Sequence, residues 1–258
     1  MRHVEKSAAV IRLFDEMGEA ALAVSGGVDS MTLAHLAARS AARVTMFHAV
    51  SPAVPSAATK RVEAHAKAHG WSLRIVGAGE FDDPDYLRNP LNRCYFCKSN
   101  LYGRLKAETN VTICSGANVD DLGDFRPGLG AAAEAGVRHP FVEADVSKAD
   151  IRAISTELGL SDIAELPAQP CLASRVETGL AINADDLALI DEVEQMLAAA
   201  IGPQDIRCRI TKSGVRIEGP ALEDRHVGDL TAFLRSKGKE LVEFGPYVRG
   251  SAFVGAKS

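Results

Sequence analysis

A-A-L-A-V-S-G-G-V-D-S, Ala20 to Ser30, decides the fold. Ala20 to Val24 is an unbroken apolar run with the length of a short strand buried on both faces. Two glycines follow, and a helical pattern runs on from about Val28 to Arg39. A strand that ends in a glycine-rich turn and opens a helix suits an anion. The helix N-terminus offers N–H donors and a favourable dipole, and glycines let the backbone come close. Ser25 and Ser30 add hydroxyls. Asp29 would repel a bare phosphate, and becomes useful once a divalent cation stands between them. The pattern G-x-x-x-x-G-K-[ST] is absent, so this is not the kinase-type loop. The bland alternative is an ordinary strand–helix turn with a Ser/Asp cap.

Outward from this stretch, short apolar runs alternate with helical patterns. A helix is expected over Glu5 to Met17, and strands over Val44 to Val50, Leu73 to Val76, Val111 to Ser115 and His139 to Val142. Helices are expected over Ser56 to Gly70, Ser99 to Glu108 and Ser147 to Gly159. The last has Ser147 as N-cap, Asp150 as a capping-box acid and Gly159 as its stop. This alternation predicts an α/β fold with a parallel sheet covered on both faces, which binds ligands beyond the strand C-termini. Beyond Leu160 the pattern changes. Pro167, Pro170 and Gly179 mark a loop. A long helix over Asn183 to Ala200, a hairpin of Ile206 to Ile210 with Val215 to Glu218, a helix over Ala221 to Arg235 and a strand over Glu240 to Phe244 make a smaller α+β domain. The expected division is residues 1–165 and 166–258.

The 258 residues are 47% hydrophobic and 24% charged, enough for one large domain or two unequal ones. The net charge of −5 argues against nucleic acid as partner. The first residues, M-R-H-V-E-K-S-A-A-V-I-R-L-F, are amphipathic and carry Glu5, unlike a signal peptide. No run approaches the length of a membrane span. The expected location is the cytoplasm, with no membrane partner and with thiols reduced. The chain has five cysteines, an odd number that excludes complete pairing.

Cys94 and Cys97 form the C-x-x-C of R-C-Y-F-C-K, Arg93 to Lys98. A disulfide, half a zinc site, a redox pair or part of an iron–sulfur site would each use that spacing. Cys171 lies in P-A-Q-P-C-L-A-S-R, residues 167–175. Cys114, in V-T-I-C-S, has the surroundings of a core-strand cysteine. In I-R-C-R-I, period-2 alternation puts Ile206, Cys208 and Ile210 on a core face, with Arg207 and Arg209 together on the other. Two arginines on one strand face are either solvated or paired with an anion. No general acid or base stands out among the seven histidines, although His48 ends a strand and could approach an adenine.

S-G-G-V-D-S resembles the PP-loop of the ATP pyrophosphatase superfamily, whose members split ATP between the α and β phosphates to adenylate a substrate on a Rossmann-like sheet. R-C-Y-F-C-K, G-A-N-V-D-D (Gly116 to Asp121), D-F-R-P-G (Asp124 to Gly128) and P-A-Q-P-C-L-A-S-R follow in order. Together they resemble the LarE family, ATP-dependent sulfur transferases of nickel-pincer cofactor synthesis, in its three-cysteine branch. The resemblance thins beyond Glu218. The family's usual L-D-L-E-G-Y-R-S-G-S stands here as V-E-F-G-P-Y-V-R-G-S, with Glu243 where an Asp is expected.

What the resemblance implies is specific. ATP would lie on Ser25, Gly26, Gly27, Val28, Asp29 and Ser30, with Gly116, Asn118, Asp121, Arg126 and His48 around it, and Asp29 would hold Mg²⁺. Cys94, Cys97 and Cys171 would hold a [4Fe–4S] cluster, leaving one iron open to carry sulfide. Ser174, Arg175, Glu194, Arg207 and Arg209 would bind the phosphate of a pyridinium-3,5-biscarboxylic acid mononucleotide, with Gln195 as the alternative to Glu194. Cys171 and Asp29 are the candidate catalytic residues, sulfide or another donor supplies sulfur, and a homo-oligomer is expected. Three alternatives stand beside the cluster reading. They are a zinc site, which needs a fourth ligand, Cys171 acting alone as a sacrificial sulfur, and a non-catalytic nucleotide or cluster carrier. A tRNA thiolase of the same superfamily is the other enzyme reading. The acidic balance and P-C-L-A-S-R argue against it.

Overall fold

The computed structural model of this chain describes residues 2–123, 127–202 and 204–247. Among them the chain runs α1 (Arg2–Met17), β1 (Glu19–Ala23), α2 (Val28–Ala37), β2 (Arg43–Val50), α3 (Ser56–His69), β3 (Ser72–Gly77), α4 (Pro84–Leu87), α5 (Arg93–Glu108) and β4 (Thr112–Cys114). It continues through α6 (Pro127–Glu134), α7 (Pro140–Glu143), α8 (Lys148–Glu157), α9 (Ser161–Ala164), α10 (Ala184–Ile201), β5 (Arg207–Thr211), β6 (Gly214–Glu218), α11 (Asp224–Ser236) and β7 (Leu241–Gly245). The fold class is α/β, as the alternation predicts. The chain forms two compact units. One comprises the chain up to Ser51, Ser56–Asp83 and Cys94–Gln169; the other takes Pro52–Pro55, Pro84–Arg93 and everything from Pro170 on.

The first unit is built on a parallel sheet in the order β3-β2-β1-β4. Its centre is β1, whose Ala20, Ala21 and Leu22 are all but inaccessible. Alternation sends them to opposite faces. Ala20 and Leu22 join Val10, Phe14, Met31, Leu36, Ile151 and Ile154, from α1, α2 and α8. Ala21 joins Phe47, Tyr102, Leu105, Ile113 and Val137. A strand with both faces covered must be apolar throughout, which is why A-A-L-A-V reads as it does. The chain passes from β1 to β2 to β3 on one side and places β4 on the other. The switch point therefore lies between the ends of β1 and β4.

Ser147 caps α8. Its side chain accepts from the Asp150 N–H, and the Asp150 carboxylate accepts from the Ser147 N–H at 2.9 Å. Lys6 of α1 adds an ion pair to Asp150 at 2.6 Å. Burial opposes ionisation of Asp150, yet Lys6 and the Ser147 donors hold its carboxyl well below the usual range. A depressed carboxyl stabilises the fold above its ordinary value near 3.8 and loses that contribution as pH falls below it. Ser147→Ala is expected to cost about 1 kcal/mol in urea unfolding.

Two expectations are corrected. His139–Val142 is not a strand: Pro140 starts the short helix α7, and pairing to β4 shrinks to one bridge, Cys114 with Arg138. Proline cannot donate to a ladder but fits a first helical turn. Helix α5 begins at Arg93, not Ser99, so R-C-Y-F-C-K forms its N-terminal end.

The second unit has the sheet order β5-β6-β7, with β5 and β6 antiparallel and β6 and β7 parallel. Helix α10 is capped by the Asn183 side chain, which accepts from the Asp186 N–H at 2.8 Å. Among the described residues, no helix is long and apolar enough to cross a membrane.

Candidate functional site

The C-terminal end of β1 delivers Ser25 to Ser30 to the switch point. Gly26 sits at φ +83°, and a Cβ there would stand 2.8 Å from the Ala58 carbonyl oxygen, so glycine is required twice over. Arg61 of α3 donates to the Gly26 carbonyl at 2.7 Å. The Ser30 hydroxyl donates to the Gly27 carbonyl at 3.1 Å and accepts from the Ser25 N–H at 3.1 Å, with the Ser25 hydroxyl also 3.1 Å away. These bonds tie the loop to the first turn of α2. Gly27 is the N-cap of α2 and gives its amides no side-chain acceptor, so donors at that end face outward with the helix dipole behind them.

Gly116, just beyond β4, comes against the same turn. A Cβ on it would lie 2.9 Å from the Ser30 nitrogen and 3.1 Å from the Asp29 carbonyl carbon. Both are backbone atoms that cannot swing aside. Gly116→Ala is expected to destabilise the chain by about 1–3 kcal/mol in thermal unfolding, by displacing the start of α2. Asn118 is buried and braces the following turn: its N–H donates to Asp121 Oδ2 at 3.1 Å, and its Oδ1 accepts from the Asp120 N–H at 3.0 Å. Arg126 lies outside the described residues.

Lys148 went unnoticed in the sequence. Its Nζ lies 2.7 and 2.6 Å from the two carboxylate oxygens of Asp29, and its N–H donates to Asp120 at 2.6 Å. A lysine in the first turn of a helix opposes the dipole, and that misplacement was the available signal. His48 is corrected. It is fully buried, with Nδ1 bonded to the Val24 carbonyl at 2.8 Å and Nε2 to the Thr59 hydroxyl at 2.9 Å. Burial lowers its pKa, so it is a neutral bracket between β1, β2 and α3 with no nitrogen left for an adenine.

No cysteine is in a disulfide. Cys94 and Cys97 lie three residues apart on the first turn of α5, hence on one helical face, and both are half-buried. Gly128, which closes D-F-R-P-G, packs against that turn, where a Cβ would meet Lys98 at 2.9 Å and the Cys94 carbonyl at 3.3 Å. Cys171, in the second unit, is half-buried too. By contrast, burial pushes the Cys114 thiol up to about 12 and raises that of Cys208 as well. A soft metal centre needs cysteine sulfurs it can reach. Cys94, Cys97 and Cys171 meet that condition; Cys114 and Cys208 do not.

In the second unit, Cys171 precedes a single 3₁₀ turn, Leu172–Arg175. The Arg175 guanidinium reaches back to the Pro170 carbonyl at 2.5 Å and the Cys171 carbonyl at 3.1 Å. It also clasps Glu194 of α10 with two bonds, at 3.0 and 2.8 Å. Glu194 accepts the Cys208 N–H as well, at 3.0 Å. Gln195 instead bonds Asp191 on the exposed side of α10. Arg209 donates twice to Glu218, at 3.0 and 2.9 Å, and once to the Ser174 carbonyl at 2.9 Å. Arg207 reaches Asp205 at 3.3 Å and lies over the Tyr247 ring. The solvated alternative for this arginine face is overturned: Arg207 and Arg209 are 5% and 6% exposed. Burial without partners would be prohibitive for two guanidinium groups, and Glu218, Asp205 and the carbonyls supply them. Glu243 stays exposed beside Arg216 at 3.5 Å, and residues 248–251 of the divergent segment lie outside the described residues.

No family model matches the chain. A Synechocystis sp. protein, named only as uncharacterized, is 35% identical over 241 residues, 88% of each chain. The chain belongs to that protein's family. Two further relatives of this family member are each 28% identical. A Methanocaldococcus jannaschii protein, also named as uncharacterized, is aligned over 88% of this chain and 84% of its own. A Lactiplantibacillus plantarum protein named pyridinium-3,5-bisthiocarboxylic acid mononucleotide synthase is aligned over 93% of this chain and 87% of its own. These alignments cover both units of the family member, not the loop-bearing sheet alone.

Proposed function

We propose that this chain is an ATP-dependent sulfurtransferase. It would adenylate the carboxylates of pyridinium-3,5-biscarboxylic acid mononucleotide and exchange a carboxyl oxygen for sulfur on each. The observation that carries this reading is the near full-length similarity to a synthase named for the dithio product. The loop at the switch point supports it, because such a loop cradles phosphates.

A carboxylate cannot expel oxide, so it must first be activated. Its oxygen attacks the ATP α-phosphorus, pyrophosphate departs, and an acyl-adenylate forms. The amides of α2 with Ser25 and Ser30 hold the phosphates, and Lys148 lends positive charge beside Asp29. Mg²⁺ held by Asp29 would supply further charge neutralisation. Sulfide sulfur then attacks the acyl carbon and AMP leaves with the bonding electrons, giving a thiocarboxylate. AMP is a good leaving group, which fits the lack of a poised general acid. A [4Fe–4S] cluster on Cys94, Cys97 and Cys171 would supply that sulfide renewably at an iron without a protein thiolate. Arg207, with Ser174 and the Arg175–Glu194 and Arg209–Glu218 pairs behind it, would receive the substrate phosphate. A homo-oligomer and a cytoplasmic location belong to the same reading.

Pyrophosphate–ATP exchange tests it. Exchange should require the pyridinium mononucleotide and fall at least about 100-fold in Asp29→Asn. Exchange that responds to tRNA and not to the mononucleotide would establish the thiolase reading. No exchange with either would leave a carrier.

A further inference from the structure

Three histidines gather at the C-terminal end of α2, the end away from the glycine-rich loop. His35 stands in the last turn of α2, and His65 and His69 are one turn apart on α3. One nitrogen from each lies within 4.8 Å of the other two. His35 Nε2 and His65 Nδ1 are already 2.9 Å apart, and the His35 and His69 ring centroids are separated by 4.6 Å. Nothing in the phosphate chemistry uses this cluster.

We infer that His35, His65 and His69 form a binding site for a divalent transition metal, with Zn²⁺ the best-suited ion and water at a fourth position. The hydrogen bonds fix the tautomers that such a site needs. His65 Nε2 lies 2.8 Å from the Asp162 carboxylate of α9, so it carries the proton and turns the Nδ1 lone pair inward. A carboxylate behind a ligating histidine orients the ring and makes it a better donor. The His35 ring is buried, with its Nε2 turned toward His65 and so toward the centre of the cluster. The proton on His35 Nε2 that now bridges to His65 moves to Nδ1 when the metal takes its place. Tetrahedral zinc sets ligand nitrogens roughly 3.3 Å apart, so His35 and His65 are nearly in place. His69 is exposed and closes the gap by side-chain rotation. The bound ion would tie the end of α2 to the end of α3.

The structure also provides the reporter. Trp71, the only tryptophan in the chain, stacks edge-on to His35 with centroids 4.8 Å apart and lies 6.1 Å from His69. Untagged, chelator-treated full-length protein is titrated with Co²⁺ while Trp71 fluorescence is followed. One equivalent should quench saturably, and Zn²⁺ should reverse the quench and raise the melting temperature. His69→Gln, at an exposed position, should weaken Co²⁺ by more than about tenfold, and Asp162→Asn by about tenfold. The quench should persist in Cys94→Ser/Cys97→Ser. No saturable quench, a quench unchanged in His69→Gln, or a quench lost with the cysteine pair would each overturn the site.

Discussion

Cys171→Ser is expected to abolish thiocarboxylate formation, by about a thousandfold or more, while mononucleotide-dependent pyrophosphate exchange stays within about threefold of the parent. The split follows from the two half-reactions proposed above. Adenylation needs the loop of the first unit and the arginine cluster. Serine at 171 disturbs neither, because what Cys171 gives that cluster is its backbone carbonyl, bonded to the Ser174 N–H at 2.9 Å and to Arg175 at 3.1 Å. Its φ of −57° is ordinary for serine. The sulfur step is different, because a hydroxyl has no sulfur to give and binds iron poorly. Cys97→Ala then separates the two sources of sulfur. Under the cluster reading it also loses the product and the protein's iron. Under the sacrificial reading it keeps one turnover, and intact mass shows loss of the elements of H₂S from the chain. Multiple turnovers by Cys171→Ser would sink both.

Arg209→Met is expected to destabilise the second unit by about 3–5 kcal/mol, measured by thermal or urea unfolding. Glu218 is 1% exposed and takes both Arg209 bonds on one oxygen, at 3.0 and 2.9 Å. Arg216 stands 3.7 Å from its other oxygen. Methionine fills the space of the arginine stem but takes away the two Arg209 bonds to a buried carboxylate, which costs far more than the pair contributes. Adding Glu218→Gln should therefore recover a large part of the loss. If the double variant is no more stable than Arg209→Met, the penalty lies in packing or in the lost bond to the Ser174 carbonyl, and the charge argument fails.

Local chemistry made much of the fold legible. A-A-L-A-V, the capping residues Ser147 and Asn183, and the alternation of strand and helix depend on neighbours within a few positions. The glycines of the loop were readable as glycines. That Gly26 answers to Ala58, and Gly116 to Ser30, was not, because a close approach between segments leaves no local trace. His139–Val142 misled because its apolar residues suit a strand, whereas Pro140 permits only a single ladder bridge. The start of α5 was hidden because R-C-Y-F-C-K buries its Arg93, leaves the other five residues half-buried and shows no clean period.

The candidate site divides along the same line. Residue types and their order along the chain were enough to place a glycine-rich turn after a buried strand and to separate three cysteines from two, since glycine, helix termini and thiols carry their chemistry with them wherever they stand. Partners were decided only by the tertiary structure. It set Lys148 on Asp29, Arg175 on Glu194 and Arg209 on Glu218, withdrew His48 into the sheet, and brought His35 to His65 and His69. Each pairing joins residues from different elements or different turns, and a charge or an imidazole acquires its role from what burial forces it to face.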